Sequence, residues 1–179
     1  MESVALLAEV PEFGKDSKLN LQSVLGAGSL TPTQRWGSAI TAAATSRNPA
    51  LLSAIVADGR REAPEGVVQD ALAAASLMAM NNVFYRFRHQ VGKPDYTERP
   101  ARLRMNRMVR LAGARVDFEL FCLVASAING CEACVRAHEA ACLEGGLTVD
   151  QVLEAVRIAA VVSGAALTLE IMPSAALPE

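Results

Sequence analysis

Apolar residues recur at helical spacing almost everywhere along this chain, and no stretch of alternating apolar and polar character persists. Alanine, leucine and methionine fill the apolar positions, and β-branched runs are short. A pattern of that kind folds as helices and gives a sheet nothing to pair. The expectation is an all-α chain of about eight helices with no sheet.

Helix boundaries are written locally. In Thr31-Pro32-Thr33-Gln34 a threonine cap, a proline at the first helical position and a glutamine three residues after the cap form a capping box. Asn48-Pro49 repeats the cap-plus-proline signal. Glu62-Ala63-Pro64 opens a long alanine-rich helix running to about His89. Thr148-Val149-Asp150-Gln151 is a second capping box, and its helix is expected to end before Pro173, which has no N–H to donate. Gly145-Gly146 terminates the helix before it. Residues 91–101, with two prolines and a glycine, read as a loop. Residues 173–179 read as a frayed tail.

A match inside the chain appears at an offset of 48 residues, where Asn81 falls on Asn129 and Arg88 on Arg136. Val83 and Arg86 stand where Cys131 and Cys134 stand. If the two are copies of one motif, one is structural and the other carries the chemistry.

With 179 residues, 51% of them hydrophobic, the chain is expected to form one domain over 1–179 that needs no disulfide scaffold or structural metal. Charged residues make up 20% and the net charge is −2, which excludes general disorder and leaves no basic excess for nucleic acid. Aromatics at 4% leave few platforms for stacked bases. The start, MESVALLAEVPEFGKDSK, does not read as a secretory signal. The charge-free apolar windows 71–85, 120–131 and 158–169 fall short of the roughly 18–20 residues of a membrane span. The expected location is cytoplasmic, where the four cysteines rest reduced. A close cysteine pair there is more often catalytic or metal-binding than structural.

The chemistry concentrates in NGCEACVRAHE, residues 129–139. Asn129-Gly130 breaks one helix, and Asn129 is expected to cap the next. Cys131 and Cys134 then share a face in its first turns, about 4.5 Å apart along the axis. That separation is compatible with a disulfide. The helix N-terminus favours a thiolate. His138, four residues beyond Cys134, returns to the same stripe and comes within reach to hold or accept a proton. Glu119, in a preceding apolar helix, would meet this group if the two helices pair. Phe118, Leu120 and Phe121 around it would raise its carboxyl pKa. Cys122 reads as a small core residue, Cys142 as a continuation of the His138 stripe, and His89 as a surface residue near a helix end. Cys131, Cys134, His138 and Cys142 on one helix would span about 16 Å, too far for one tetrahedral zinc ion. A zinc site built from the cysteine pair and a partner helix stays open. A thioredoxin fold is disfavoured because no strand precedes the pair.

FELFCLVASAINGCEACVRAHE, with MNNVFYRFRH and RLRMN upstream, resembles the alkyl hydroperoxide reductase D (AhpD) family of the carboxymuconolactone decarboxylase-like group. The resemblance implies a compact AhpD-like domain whose N-terminal half is structural and whose residues 115–172 carry the chemistry. It implies a lipoyl-dependent peroxidase and disulfide reductase. Electrons would come from dihydrolipoamide on a lipoylated acyltransferase subunit and pass to an AhpC-type peroxiredoxin. No tightly bound cofactor is implied, and neither is a nucleic-acid or membrane partner; the assembly would be a homotrimer. By the same resemblance Cys134 attacks the hydroperoxide and becomes the sulfenic acid. Cys131 donates a proton and resolves it to the Cys131–Cys134 disulfide, while His138 and Glu119 relay protons.

One position departs from the family. Members often carry a histidine just before the second cysteine; Ala133 stands there, preceded by Glu132. A nearby carboxylate raises a thiol pKa, which bears on how well the pair is activated. The competing readings are a non-redox enzyme of the carboxymuconolactone decarboxylase-like group and a non-catalytic helical or zinc-binding module.

Overall fold

The computed structural model describes residues 1–175. Among them the chain forms nine α-helices and two short 3-10 turns, with no strand. In chain order the helices are α1 (Glu2–Ala5), α2 (Lys15–Val24), α3 (Pro32–Ser46), α4 (Pro49–Glu62), α5 (Glu65–Val91), α6 (Pro94–Thr97), α7 (Arg115–Ile128), α8 (Glu132–Glu144) and α9 (Val149–Ala175).

The local signals place most of the starts. Thr31 Oγ1 accepts from the Gln34 N–H at 3.2 Å, and the Gln34 side chain accepts from the Thr31 N–H at 3.1 Å. Asn48 caps α4 through the Leu51 N–H at 3.0 Å. Thr148 and Gln151 close the same reciprocal box at the start of α9. Two boundaries differ from expectation. The 91–101 segment contains the single turn α6, opened by Pro94 at a first helical position. Helix α9 runs on past Pro173 to Ala175. A proline forfeits its own N–H but does not forbid helical dihedrals in the two residues that follow it. Of the tail expected to fray, residues 176–179 lie outside the described residues.

Helix α3 is the hub and packs against α4, α5, α7 and α9. Its contact face is built of small residues (Gly37, Ala39, Ala42, Ala43), all buried. Gly37 is required by close approach, since a Cβ there would collide with the Phe121 ring of α7. Phe118 and Phe121 lie wholly within this core, each contributing roughly 1.5–3 kcal/mol by burial. Few aromatics suffice because alanine faces let the helix axes come close.

Two buried carboxylates fasten the irregular segments. Asp58 accepts from the N–H groups of Glu2 and Ser3 and from Ser3 Oγ at 2.6–2.9 Å, which docks α1 on α4. Asp70 of α5 accepts from the Ala112 and Gly113 N–H groups at 2.9 Å and from Arg107 Nη2 at 2.6 Å. Asp70 therefore fixes the approach of the chain to α7, which carries Glu119.

Helix α9 passes the length and composition test for a membrane span, with a mean hydropathy of 1.8 within Val149–Met172. Glu154, Arg157 and Glu170 interrupt its apolar run, so no charge-free window of that length marks it in the sequence. In this fold α9 is a core helix. It buries Ala155, Ile158, Val162 and Ala165 along one stripe, and Glu154 holds Ser29 at 2.6 Å.

Candidate active site at the entrance of α8

Helix α7 ends in a Schellman turn that sets the geometry of the cysteine pair. Gly130 takes φ +65°, its N–H donates to the Ala127 carbonyl at 3.2 Å, and the Cys131 N–H donates to Ser126 at 3.1 Å. Asn129 therefore closes α7 and does not cap α8, contrary to expectation; the N-cap of α8 is Cys131. The Asn129 side chain is committed elsewhere, donating to Asn82 Oδ1 of α5 at 2.9 Å. Asn82 in turn donates to Ser126 Oγ at 2.9 Å, and Arg86 holds the Asn129 carbonyl. Ser126 and Asn129 are thus held by two residues of α5.

Cys131 and Cys134 are joined as a disulfide with their Cα atoms 5.3 Å apart. Cys131 is fully buried and Cys134 is 7% exposed, so what access there is leads to Cys134. Cys134 also stands in the first turn of α8, where free N–H groups and the helix dipole favour negative charge on sulfur.

Helices α7 and α8 pack as a pair, and their contact brings Glu119 to His138. The distance from Glu119 Oε2 to His138 Nδ1 is 2.7 Å, with both side chains largely buried. A carboxylate can only accept, so Nδ1 carries the proton and Nε2 is left free as base or acceptor. The other oxygen, Oε1, accepts from Nε and Nη2 of Arg115, both at 2.6 Å. The apolar neighbours were expected to raise the Glu119 pKa, but the structure lowers it. The hydrogen bond from His138 holds the carboxyl below its ordinary range; burial opposes this, and Arg115 adds to the lowering. The residues that reverse the sign come from one turn back and from the next helix. The flanking apolar residues give no sign of them.

Glu132, inside the motif, is exposed and compensated. Arg136 donates to it from Nη2 at 2.7 Å, and His89 Nε2 of α5 lies 3.4 Å from its other oxygen. The Arg136 hydrogen bond, with its charge and that of His89, keeps the Glu132 carboxyl below its ordinary range. His89 is exposed near the end of α5, as expected, but it reaches the motif. Cys122 and Cys142 are free and buried. Burial, and next the Glu119 charge, push the Cys142 thiol up to about 12 and the Cys122 thiol higher still. No group of three or more His, Cys, Asp or Glu side chains among the described residues is placed to hold a metal ion. A cavity of about 740 Å³ opens between α3, α7 and α9, lined by Arg47, Ile128 and Leu167 among others, and includes none of the four site residues.

Arg115, Asn82, Arg86 and Arg136 are the residues that sequence reasoning passed over. The spacing of four between Arg115 and Glu119, and between Glu132 and Arg136, was a readable signal of two ion pairs. Nothing in the sequence pairs Asn82 with Asn129.

The chain is all-helical among the described residues, and the model of the carboxymuconolactone decarboxylase family matches its residues 94–175. The likeness to particular proteins extends over nearly the whole chain. It is 60% identical over 174 residues to the alkyl hydroperoxide reductase AhpD of Anaeromyxobacter sp. (strain K), covering 97% of this chain and 94% of that protein. It is 44% identical to the AhpD of Solibacter usitatus, covering 96% and 97%, and 42% identical to that of Brucella canis, covering 92% and 94%. The chain belongs to the alkyl hydroperoxide reductase AhpD family.

Proposed function

We propose that this protein is an alkyl hydroperoxide reductase that works through a dithiol–disulfide cycle at Cys131 and Cys134. The observation that carries the reading is the bridged pair at the mouth of α8, with Cys134 as the sulfur open to approach. In the reduced form the Cys134 thiolate attacks the terminal oxygen of ROOH. The O–O bond breaks, Cys134 becomes the sulfenic acid, and RO⁻ takes a proton and leaves as ROH. Cys131 then attacks the sulfenic sulfur, forming the disulfide and expelling water. Three residues of separation make this step effectively unimolecular, which protects the sulfenic acid from further oxidation.

Protons move through His138 and Glu119. Nε2 of His138 accepts a proton from a thiol, and the ionised Glu119 at Nδ1 stabilises the imidazolium that forms. The compensation of Glu132 by Arg136 and His89 limits the penalty its charge would impose on the thiols.

Reduction returns the two electrons. A dihydrolipoamide thiolate attacks the disulfide, forms a mixed disulfide and closes to lipoamide, which leaves both cysteines reduced. The donor is a lipoylated acyltransferase subunit. The reduced pair also attacks the disulfide of an AhpC-type peroxiredoxin by the same exchange, which makes the protein an adaptor as well as a peroxidase. It acts in the cytoplasm as a homotrimer. The test is peroxide consumption with dihydrolipoamide as sole reductant, with and without an AhpC-type peroxiredoxin. Turnover in the first case and acceleration in the second are expected. No turnover in either would remove the reading.

A further inference from the structure

We propose that Arg115 is a positioning residue for the proton relay: its guanidinium clamps one oxygen of Glu119, so that the other faces His138 Nδ1 and fixes that ring in the tautomer with Nε2 free. The inference rests on the relay proposed above and extends it by one residue.

The geometry is a chain of three side chains on two helices. Arg115 Nε and Nη2 both lie 2.6 Å from Glu119 Oε1, and Glu119 Oε2 lies 2.7 Å from His138 Nδ1. Two contacts to one oxygen leave the carboxylate little freedom to rotate. The Glu119 side chain is only 8% exposed while that of Arg115 is 59% exposed, so the guanidinium closes the solvent side of a buried anion.

Helix stability does not account for an arginine at this place. Arg115 is the first residue of α7, where a cation faces the positive end of the helix dipole. Arginine followed by glutamate at a spacing of four is also the weaker orientation of such a pair. Asp117 in the same turn has the sign the helix end prefers. The explanation left for Arg115 is its work on Glu119.

The charge on Glu119 also bears on the two other cysteines. The ionised Glu119 raises the thiols of Cys122 and Cys142 beyond what burial does alone. The groups facing Glu119 are Arg115 and Cys122 from α7 and His138 and Cys142 from α8. Both thiols are thereby held protonated.

The experiment compares wild type, Arg115→Gln, Arg115→Lys, Glu119→Gln and the double variant Arg115→Gln/Glu119→Gln, all as full-length reduced protein. Three quantities are read: Cys134 alkylation by iodoacetamide across pH, single-turnover oxidation by a hydroperoxide, and the His138 tautomer from its ring nitrogen shifts. Arg115→Gln is expected to slow both reactions about tenfold, since small displacements of a reacting group cost up to about a hundredfold. It also moves the acid limb to higher pH, because Glu119 without its cation takes up a proton sooner, and it mixes the His138 tautomers. Lysine restores the acid limb through its charge but not the full rate, because it lacks the fork. In the Glu119→Gln background Arg115→Gln adds nothing. An acid limb and tautomer in Arg115→Gln identical to wild type would overturn the proposal, and so would an undiminished tenfold loss in the Glu119→Gln background. A purely structural arginine would lower the melting temperature and leave limb and tautomer in place. If the hydroperoxide fails to oxidise wild-type Cys134, the peroxidase reading falls, while alkylation and the tautomer still report on Arg115.

Discussion

Two stretches of this chain match at an offset of 48 residues, and they do not share a backbone path. The first lies within α5, an unbroken helix of 27 residues. The second is the end of α7, a turn, and the start of α8. Asn81-Asn82 continues its helix; Asn129-Gly130 stops its own. Apolar patterning is similar on both sides, so it does not decide the difference. What decides it is one residue able to hold φ +65° where Asn82 stands in the other stretch. The break places Cys131 and Cys134 at a helix entrance, where orphan N–H groups favour charge on sulfur. The corresponding positions in α5, Val83 and Arg86, lie mid-helix, and Arg86 serves the other stretch by holding its turn. One region is broken and carries the cysteine pair; the other is continuous and supports the turn before that pair.

The comparison is sharpened most by removing the chemistry from the broken stretch. Cys134→Ser is expected to abolish hydroperoxide turnover and the internal disulfide, while circular dichroism stays unchanged. Wild-type turnover in that variant would reassign the nucleophile. Glu119→Gln is expected to slow oxidation of the reduced pair by about a hundredfold, the lower range for loss of acid–base assistance. It also carries a pH signature. The lowered Glu119 pKa adds stability that is present above the ordinary carboxyl range and is lost as pH falls through the folded value. Wild type and Glu119→Gln should therefore differ in melting temperature at neutral pH and converge in acid; a constant gap would show that Glu119 is not ionised in the fold.

Smaller effects test the supporting stretch. Asn82→Ala removes the partner of the buried Ser126 hydroxyl and of the half-buried Asn129 amide, at a cost of about 1–3 kcal/mol. Denaturant unfolding measures this, and a neutral result would mean that α5 does not hold the turn. Gly130→Ala forces a Cβ into the left-handed region but meets no neighbour there, so the cost is backbone strain alone, roughly 1–2 kcal/mol. A thermal melt should drop by about 2–8 °C for a chain of this size.

Much of the fold was legible because its signals are local. The caps at Thr31, Asn48 and Thr148 each involve residues three apart, and each formed as read. The proximity of Cys131 and Cys134 follows from their spacing; the Glu119–His138 contact was conditional on the pairing of α7 and α8 and rested mainly on the family resemblance. Asn129 was misplaced because a Schellman turn and an N-cap compete for the same residues, and the long-range bond to Asn82 settled the matter. Pro173, a stop signal in the sequence, lies within α9, which ends two residues beyond it at Ala175.

The sequence by itself determined an all-helical chain, the places where most helices begin, and a cysteine pair three residues apart at one of those beginnings. Dihedral preference, capping and helical periodicity act over a few residues and need no tertiary partner. The tertiary structure decided the state of the groups around that pair: a Glu119 held ionised instead of neutralised, a turn gripped by Asn82 and Arg86, and a Glu132 met by His89. Charge and solvation depend on what lies across a helix interface, and residues 19 to 47 positions apart in sequence meet there.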